Sequence, residues 1–347
     1  MKDFNLNKLV ALLKKSTNFI LIAISASILA YFCINDNNLI NLLDVIPRLN
    51  IAWILLAFAS LVVYWIIEAL IVKKITNEIY HKQYPKLFFF KVAIIGQYFN
   101  SITPMGIAGQ PMQILELSKC SIPKTIATII TTRKFFIYQS CLALYSIFCA
   151  VIYYNHLKSI CPEMIWMLWT GAMFQCSMIL LVFIFYLNKN IILKISELFI
   201  DILYKAKIIK DKNLPVKSLE KNLNLFIESN KSLSKNKKIN FEIYILTFLQ
   251  ITFLLIIPFC VFKAFHHDSF PIIQIICAQS TINTISSFTP FPGAAGTAEK
   301  SFMTIFSIFF TITEIGKAML LSRFISCYFT ILIGTIFSKK IIKNQKN

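Results

Sequence analysis

Apolar positions along the chain gather into long runs. Six of them, residues 17–34, 51–72, 133–154, 164–187, 241–264 and 318–338, can cross a hydrocarbon core about 30 Å thick, for which a helix needs roughly 20 residues. Two further runs, 87–117 and 271–313, are each interrupted near the middle by Pro and Gly. A bilayer interior offers no partner to a free backbone N–H or C=O, so such a break persists only where protein or a water-filled cavity surrounds it. The arms beyond the breaks are short, since 112–117 cannot cross anything and 301–313 falls below the length of a span. The pattern predicts an all-α integral membrane protein with six full transmembrane helices and two re-entrant helical hairpins. A plain turn between two true spans is the rival reading, strongest at 271–313, whose first arm 271–288 has 18 residues.

The two breaks resemble each other. Ser101-Ile102-Thr103-Pro104-Met105-Gly106-Ile107-Ala108-Gly109 and Ser287-Phe288-Thr289-Pro290-Phe291-Pro292-Gly293-Ala294-Ala295-Gly296 both read S-x-T-P and then G-x-A-G, at a spacing of 186 residues that becomes 187 after one inserted proline. A Glu follows each (Glu116, Glu299), and then a span with an Arg at or near its start (Arg133, Arg323). The order of span, broken hairpin and span also recurs. The single membrane domain, 1–347, thus divides into a first repeat over 51–154 and a second over 241–338, with a basic connector, 188–240, between them.

Composition and charge settle the class and the orientation. With 57% apolar and 15% charged residues, the chain lies far from the roughly one-quarter charged of soluble domains. Its formal charge is +19, and the distribution of that charge removes any need for a nucleic-acid partner. With the amino terminus inside, 28 of the 35 Lys and Arg fall in cytoplasmic segments, four in external ones and three within apolar runs. Both termini are then cytoplasmic. The first hairpin is entered from the cytoplasm and the second from outside, so the repeats are inverted, the plan by which secondary transporters build a midplane site between discontinuous helices. The nine cysteines show no paired spacing, which suggests neither a disulfide framework nor a zinc site, and no cofactor is expected. The first run reads as an uncleaved anchor, because its small-x-small candidate, Ser25-Ala26-Ser27, lies in mid-run.

The candidate site residues follow from the breaks. Gly106, Gly109, Gly293 and Gly296 allow close approach of backbone to a ligand, while Pro104, Pro290 and Pro292 fix the turns. The helices that begin after Gly109 and Gly296 would aim free N–H groups at a cavity, a setting suited to phosphate or carboxylate. Asn100, Ser101, Thr103, Gln110, Gln113, Ser287 and Thr289 supply neutral polar groups, or merely satisfy the broken backbone. Ionisable residues inside a membrane are functional candidates by default. Glu299 falls in a first helical turn and fits both a capping role and a pair with Lys300 or an Arg. Glu116 equally fits a surface salt bridge with Lys119. Glu68, near the end of its span, is expected to snorkel to the interface. Arg323 lies inside a span, where its donor fork suits a phosphate. Arg133 holds the same place in the first repeat, although the positive-inside pattern explains it as well.

Catalysis is not expected. The four histidines fall outside the apolar runs, and no HExxH, GxSxG or paired-carboxylate motif occurs. The stretches "GQYFNSITPMGIAGQPMQILELSK" (Gly96 to Lys119) and "TPFPGAAGTAEK" (Thr289 to Lys300) resemble the paired signatures of the lysylphosphatidylglycerol synthetase transmembrane region family, flippase-like membrane proteins. Gly109-Gln110-Pro111 carries the first signature; Pro290, Pro292, Gly293, Gly296 and Glu299 carry the second, with Ala294 in place of a usual glycine. The chain ends soon after its last span, at Asn347, without the soluble aminoacyl-transferase domain of some members, so synthesis of aminoacylated lipid is not expected. The resemblance implies movement of an anionic or aminoacylated phospholipid, or of a polyisoprenyl-phosphate lipid, between leaflets of a bacterial cytoplasmic membrane. On that reading Arg133, Arg323 and the two helix starts hold the phosphate, and Glu116 and Glu299 balance charge or carry a proton. Two alternatives stay open: an ion-coupled transporter of a small solute, and a non-transporting partner of an envelope enzyme. Membrane lipids are the expected partners, with a homo-oligomer as a further option.

Overall fold

The computed structural model describes residues 46–80, 83–187 and 236–343. Within them every regular element is helical. Helices α1 (Ile51–Ile79), α2 (Lys86–Ile102), α3 (Gly109–Lys119), α4 (Lys124–Ile160) and α5 (Met164–Leu187) form the first part. Helices α6 (Lys237–Leu255), α7 (Ile257–Ala264), α8 (Ile272–Ser286), α9 (Thr297–Ile305), α10 (Ile312–Arg323) and α11 (Phe329–Lys343) form the second. The expected first span at 17–34 lies outside the described residues, as does most of the connector at 188–240.

Among the described residues, four stretches are long and apolar enough to cross a membrane: Ile51–Ile79, Lys124–Ile160, Lys237–Ala264 and Ile312–Ser338. α5 adds a shorter apolar stretch, Met164–Leu180. These crossings run past the apolar runs that announce them, because helix propagation does not stop at the first polar residue. Two of them are locally remade. Pro258 sits at the start of α7 and has no N–H to give the preceding turn, which separates α6 from α7. α10 passes into α11 through a π-helical turn, Phe324–Tyr328.

The interrupted runs each become two short helices around an irregular segment. α2 and α3 have 17 and 11 residues, α8 and α9 have 15 and 9. At a rise of about 1.5 Å per residue none of the four exceeds roughly 25 Å.

The two parts pack reciprocally. α2 lies on α11, the end of the crossing that follows the second break, and α8 lies on α4, the crossing that follows the first. α1 packs along α6 and α7 in the opposite direction. At one end the Asn50 amide donates to the Ala264 carbonyl at 3.0 Å, and at the other Asn236 Nδ2 donates to Glu78 Oε1 at 3.1 Å. Close helix contact depends on glycine: a Cβ on Gly171 in α5 would lie 2.0 Å from the Thr284 carbonyl of α8, and one on Gly334 in α11 would lie 2.3 Å from Tyr98 Cβ in α2.

Candidate functional site

The two breaks meet. Pro104 and Pro292 form an isolated antiparallel bridge. Neither proline has an amide hydrogen, so the bonds that make the bridge come from the flanking residues. Over 103–107 and 291–295 the two segments share one conformation, and they part at Ala108 and Gly296, with φ of −88° and 87°. Gly106 N donates to the Thr103 carbonyl at 3.2 Å and Ala294 N to that of Phe291 at 3.0 Å; Ile107 N donates to Pro104 and Ala295 N to Pro292, at 3.3 and 3.2 Å. Met105 and Gly106 have φ of 52° and 64°, Gly293 and Ala294 have 60° and 55°, and the following helices start at Gly109 and Thr297. The equivalence therefore pairs Pro104 with Pro292, not with Pro290 as the matching letters suggest. Under it Gly106 corresponds to Ala294, and Glu299 does not correspond to Glu116.

Beside the bridge lies a cavity of about 260 Å³. α1 contributes Tyr64 and Trp65, α2 Asn100 and Ser101, α8 Gln279 and Asn283, and the crossing after the second break Ser322 and Arg323. The π-helical turn widens that crossing at the cavity wall, where Ser326 and Cys327 look in. Gly293 is the part of the second break that reaches the cavity.

Arg323 is committed to the protein. Its Nε donates to Glu299 Oε1 at 2.7 Å, and its Nη2 lies 2.6 Å from the same carboxylate oxygen and donates to the Gly293 carbonyl at 2.7 Å. Glu299, 1% exposed, accepts from the Gly296 amide at 2.6 Å through its other oxygen. One carboxylate thus caps α9 and holds Arg323, and Arg323 in turn holds the backbone of the break. Of the two partners foreseen for Glu299, the arginine is the one used; Lys300 is exposed.

The first part builds a different centre. Glu68 is 1% exposed and does not snorkel to an interface. Lys134 pairs with it, Gln97 donates to it, and Gln113 and Gln250 donate at 2.9 and 3.4 Å. Lys134 also donates to Gln113 Oε1 at 2.8 Å. Five helices, α1, α2, α3, α4 and α6, thereby converge on one carboxylate. Gln97 lines the cavity, so the network borders it. Lys134, not Arg133, is the cation of α4 that reaches Glu68. Arg133 donates to Asn240 on α6, away from the cavity, and Glu116, 3% exposed, pairs with Lys91 and Lys119. Neither Glu68 nor Lys134 stands out by motif; the one available signal was a carboxylate inside an apolar run.

The remaining candidates serve the breaks. Thr103 Oγ1 accepts from Ala108 N and donates to the Phe99 carbonyl, and Ser287 Oγ donates to the carbonyls of Thr284 and Gly171. Gly109 sits where a Cβ would fall 2.7 Å from the Gly96 carbonyl, which closes α3 onto α2. Thr289 is buried with no partner for its hydroxyl, Pro290 is exposed, and Gln110 is half-buried outside the cavity lining. Among the described residues no three His, Cys, Asp or Glu converge as metal ligands.

The profile of the Lysylphosphatidylglycerol synthase TM region matches residues 18–334. The chain belongs to that family. It is accordingly a multi-pass membrane protein, and this synthase-region family member sits among lipids with both breaks inside the matched range. No curated protein matches it.

Proposed function

We propose that this family member is a lipid translocase of a bacterial cytoplasmic membrane. A polar headgroup passes through the cavity between two re-entrant hairpins, while the acyl chains stay in the bilayer. The observation that carries the reading is the meeting of the two broken segments at Pro104 and Pro292 beside a polar cavity walled by both parts of the chain. Irregular backbone at membrane depth is tolerated where it lines such a cavity. The arms of both interrupted runs are too short to cross, which supports hairpins over plain turns. Reciprocal packing of α2 on α11 and α8 on α4, with α1 antiparallel to α6 and α7, supports inverted repeats. The distribution of Lys and Arg supports cytoplasmic termini. A cavity of about 260 Å³ is below the roughly 300–1,000 Å³ of sites that enclose whole ligands, and suits a headgroup better than an entire lipid.

In this reading the ion pairs shape the passage. Arg323 fixes the Gly293 carbonyl through contacts that do not depend on cargo, and the Glu68 network holds α2 and α3 against α1 and α4. No bond is made or broken in the lipid. The test is reconstitution of the purified protein into vesicles carrying fluorescent phospholipids in one leaflet, with loss of asymmetry followed by dithionite quenching. Exchange well above that of protein-free vesicles is expected. No acceleration across a panel of lipids, together with uptake of small solutes by the same vesicles, refutes the proposal in favour of a solute carrier.

A further inference from the structure

Among the described residues, the one charged side chain that lines the cavity is Arg323, and its charge is already met. Glu299 takes its Nε and Nη2, and the Gly293 carbonyl shares Nη2. The neighbouring ions, Glu68 and Lys134, are paired with each other and border the cavity through neutral side chains such as the Gln97 amide. What the wall holds without a protein partner is neutral. The indole Nε1 of Trp65 (2% exposed), the hydroxyl of Ser322 (5% exposed) and the amide oxygens of Asn100 and Gln279 all lie buried and unbonded.

A buried polar atom without a partner is costly, so four around one cavity define what completes them. Water can do so at rest and be displaced. An anionic headgroup is a poor match, because a phosphate or carboxylate only accepts hydrogen bonds and brings a charge that no free cation here answers. A hydroxyl both donates and accepts. It fits the indole, the serine and either orientation of the two amides, whose oxygen and nitrogen ends interchange by rotation.

We propose that the cavity selects an uncharged, hydroxyl-rich headgroup, a glycosyl or similar polyol group, over a bare anionic headgroup, one of the anionic, aminoacylated and polyisoprenyl-phosphate lipids that the family resemblance implies. The source of that group, a lipid, rests on the translocase reading; the hydroxyl preference rests on the wall itself.

The experiment uses vesicles holding the full chain and three probes: acyl-labelled monoglucosyl diacylglycerol, acyl-labelled phosphatidic acid, and radiolabelled glucose. The glucolipid is expected to change leaflet at least tenfold faster than the phosphatidic acid. Ser322→Ala, which removes one neutral hydrogen bond, is expected to slow the glucolipid by up to about tenfold with elution profile and thermal midpoint as in the parent, and Gln279→Leu, which also removes the bond to Asn283 Oδ1, to slow it at least as much with the elution profile of the parent. Phosphatidic acid moving as fast as the glucolipid overturns the headgroup assignment and leaves lipid translocation standing. Glucose entering while neither lipid moves overturns the lipid source and upholds the hydroxyl preference. Movement of none of the three overturns both, and parental rates in both variants overturn the assignment of the wall.

Discussion

Replacing Arg323 by Met removes three contacts at once, two to Glu299 and one to the Gly293 carbonyl. The methionine fills much of the same space, so the effect is electrostatic. Glu299 is left as a carboxylate at 1% exposure with a single donor, the Gly296 amide at 2.6 Å. Breaking a buried ion pair from one side costs about 3–5 kcal/mol, because the surviving charge has neither partner nor water. The reverse change is gentler. Glu299→Gln keeps an oxygen for the cap, and Arg323 stays at a cavity wall with 17% of its side chain exposed and the Gly293 carbonyl still accepting. That loss is about 2 kcal/mol, nearer the cost of one unsatisfied group. The double variant no longer buries a lone charge, so it should be more stable than the sum of the singles by about 2–3 kcal/mol. Unfolding in detergent micelles, followed by tryptophan fluorescence across an SDS titration, measures all four corners of the cycle. Additive losses, or Arg323→Met within about 0.5 kcal/mol of the parent, would refute the claim that this pair holds the second break together.

Four further single changes probe the same framework. Ala294→Gly should stabilise modestly, by less than about 1 kcal/mol, because the left-handed backbone costs alanine about 1–2 kcal/mol and glycine's extra freedom returns part of it. Gly106→Ala should destabilise by a similar amount, since its Cβ would meet nothing nearer than Asn100 at 3.6 Å and only φ matters; thermal shifts of equal sign would contradict the equivalence of the two positions. Glu68→Gln strands the Lys134 ammonium and should cost about 3 kcal/mol, with Lys134→Met in the same chain recovering part of it; a neutral single change in thermal unfolding disproves the network's role. Gly171→Val puts a branched side chain where even a Cβ lies 2.0 Å from the Thr284 carbonyl, and size-exclusion profiles should show loss of folded protein, whereas a parental profile means α5 and α8 do not touch there.

How much of this was legible beforehand depends on the kind of interaction. Breaks at 101–109 and 287–296 are visible in letters, since Pro and Gly inside apolar runs have a local backbone cost that no distant residue alters. Their equivalence was half visible. Letter matching aligned Pro104 with Pro290, whereas φ and turn hydrogen bonds align it with Pro292, because the chain repeats a backbone shape that different residues can occupy: Met105 stands where the second copy has Gly293, and Ala294 where the first has Gly106. Arg323 was recognisable as a charge that needs a partner, and Glu299 as one candidate.

The amino-acid sequence by itself determined that the chain lives in a bilayer, where the four long apolar helices of the described residues run and where two other apolar runs are interrupted, since hydrocarbon penalises every unpaired backbone group locally and run length alone reports it. Only the packed structure decided which charges meet. Lys134 finds Glu68 across 66 residues while its neighbour Arg133, one position earlier, turns to Asn240. Consecutive residues on a helix point about 100° apart, so which of two adjacent cations meets Glu68 depends on the face that α4 presents to α1, and that face is chosen by the sum of its contacts with other helices.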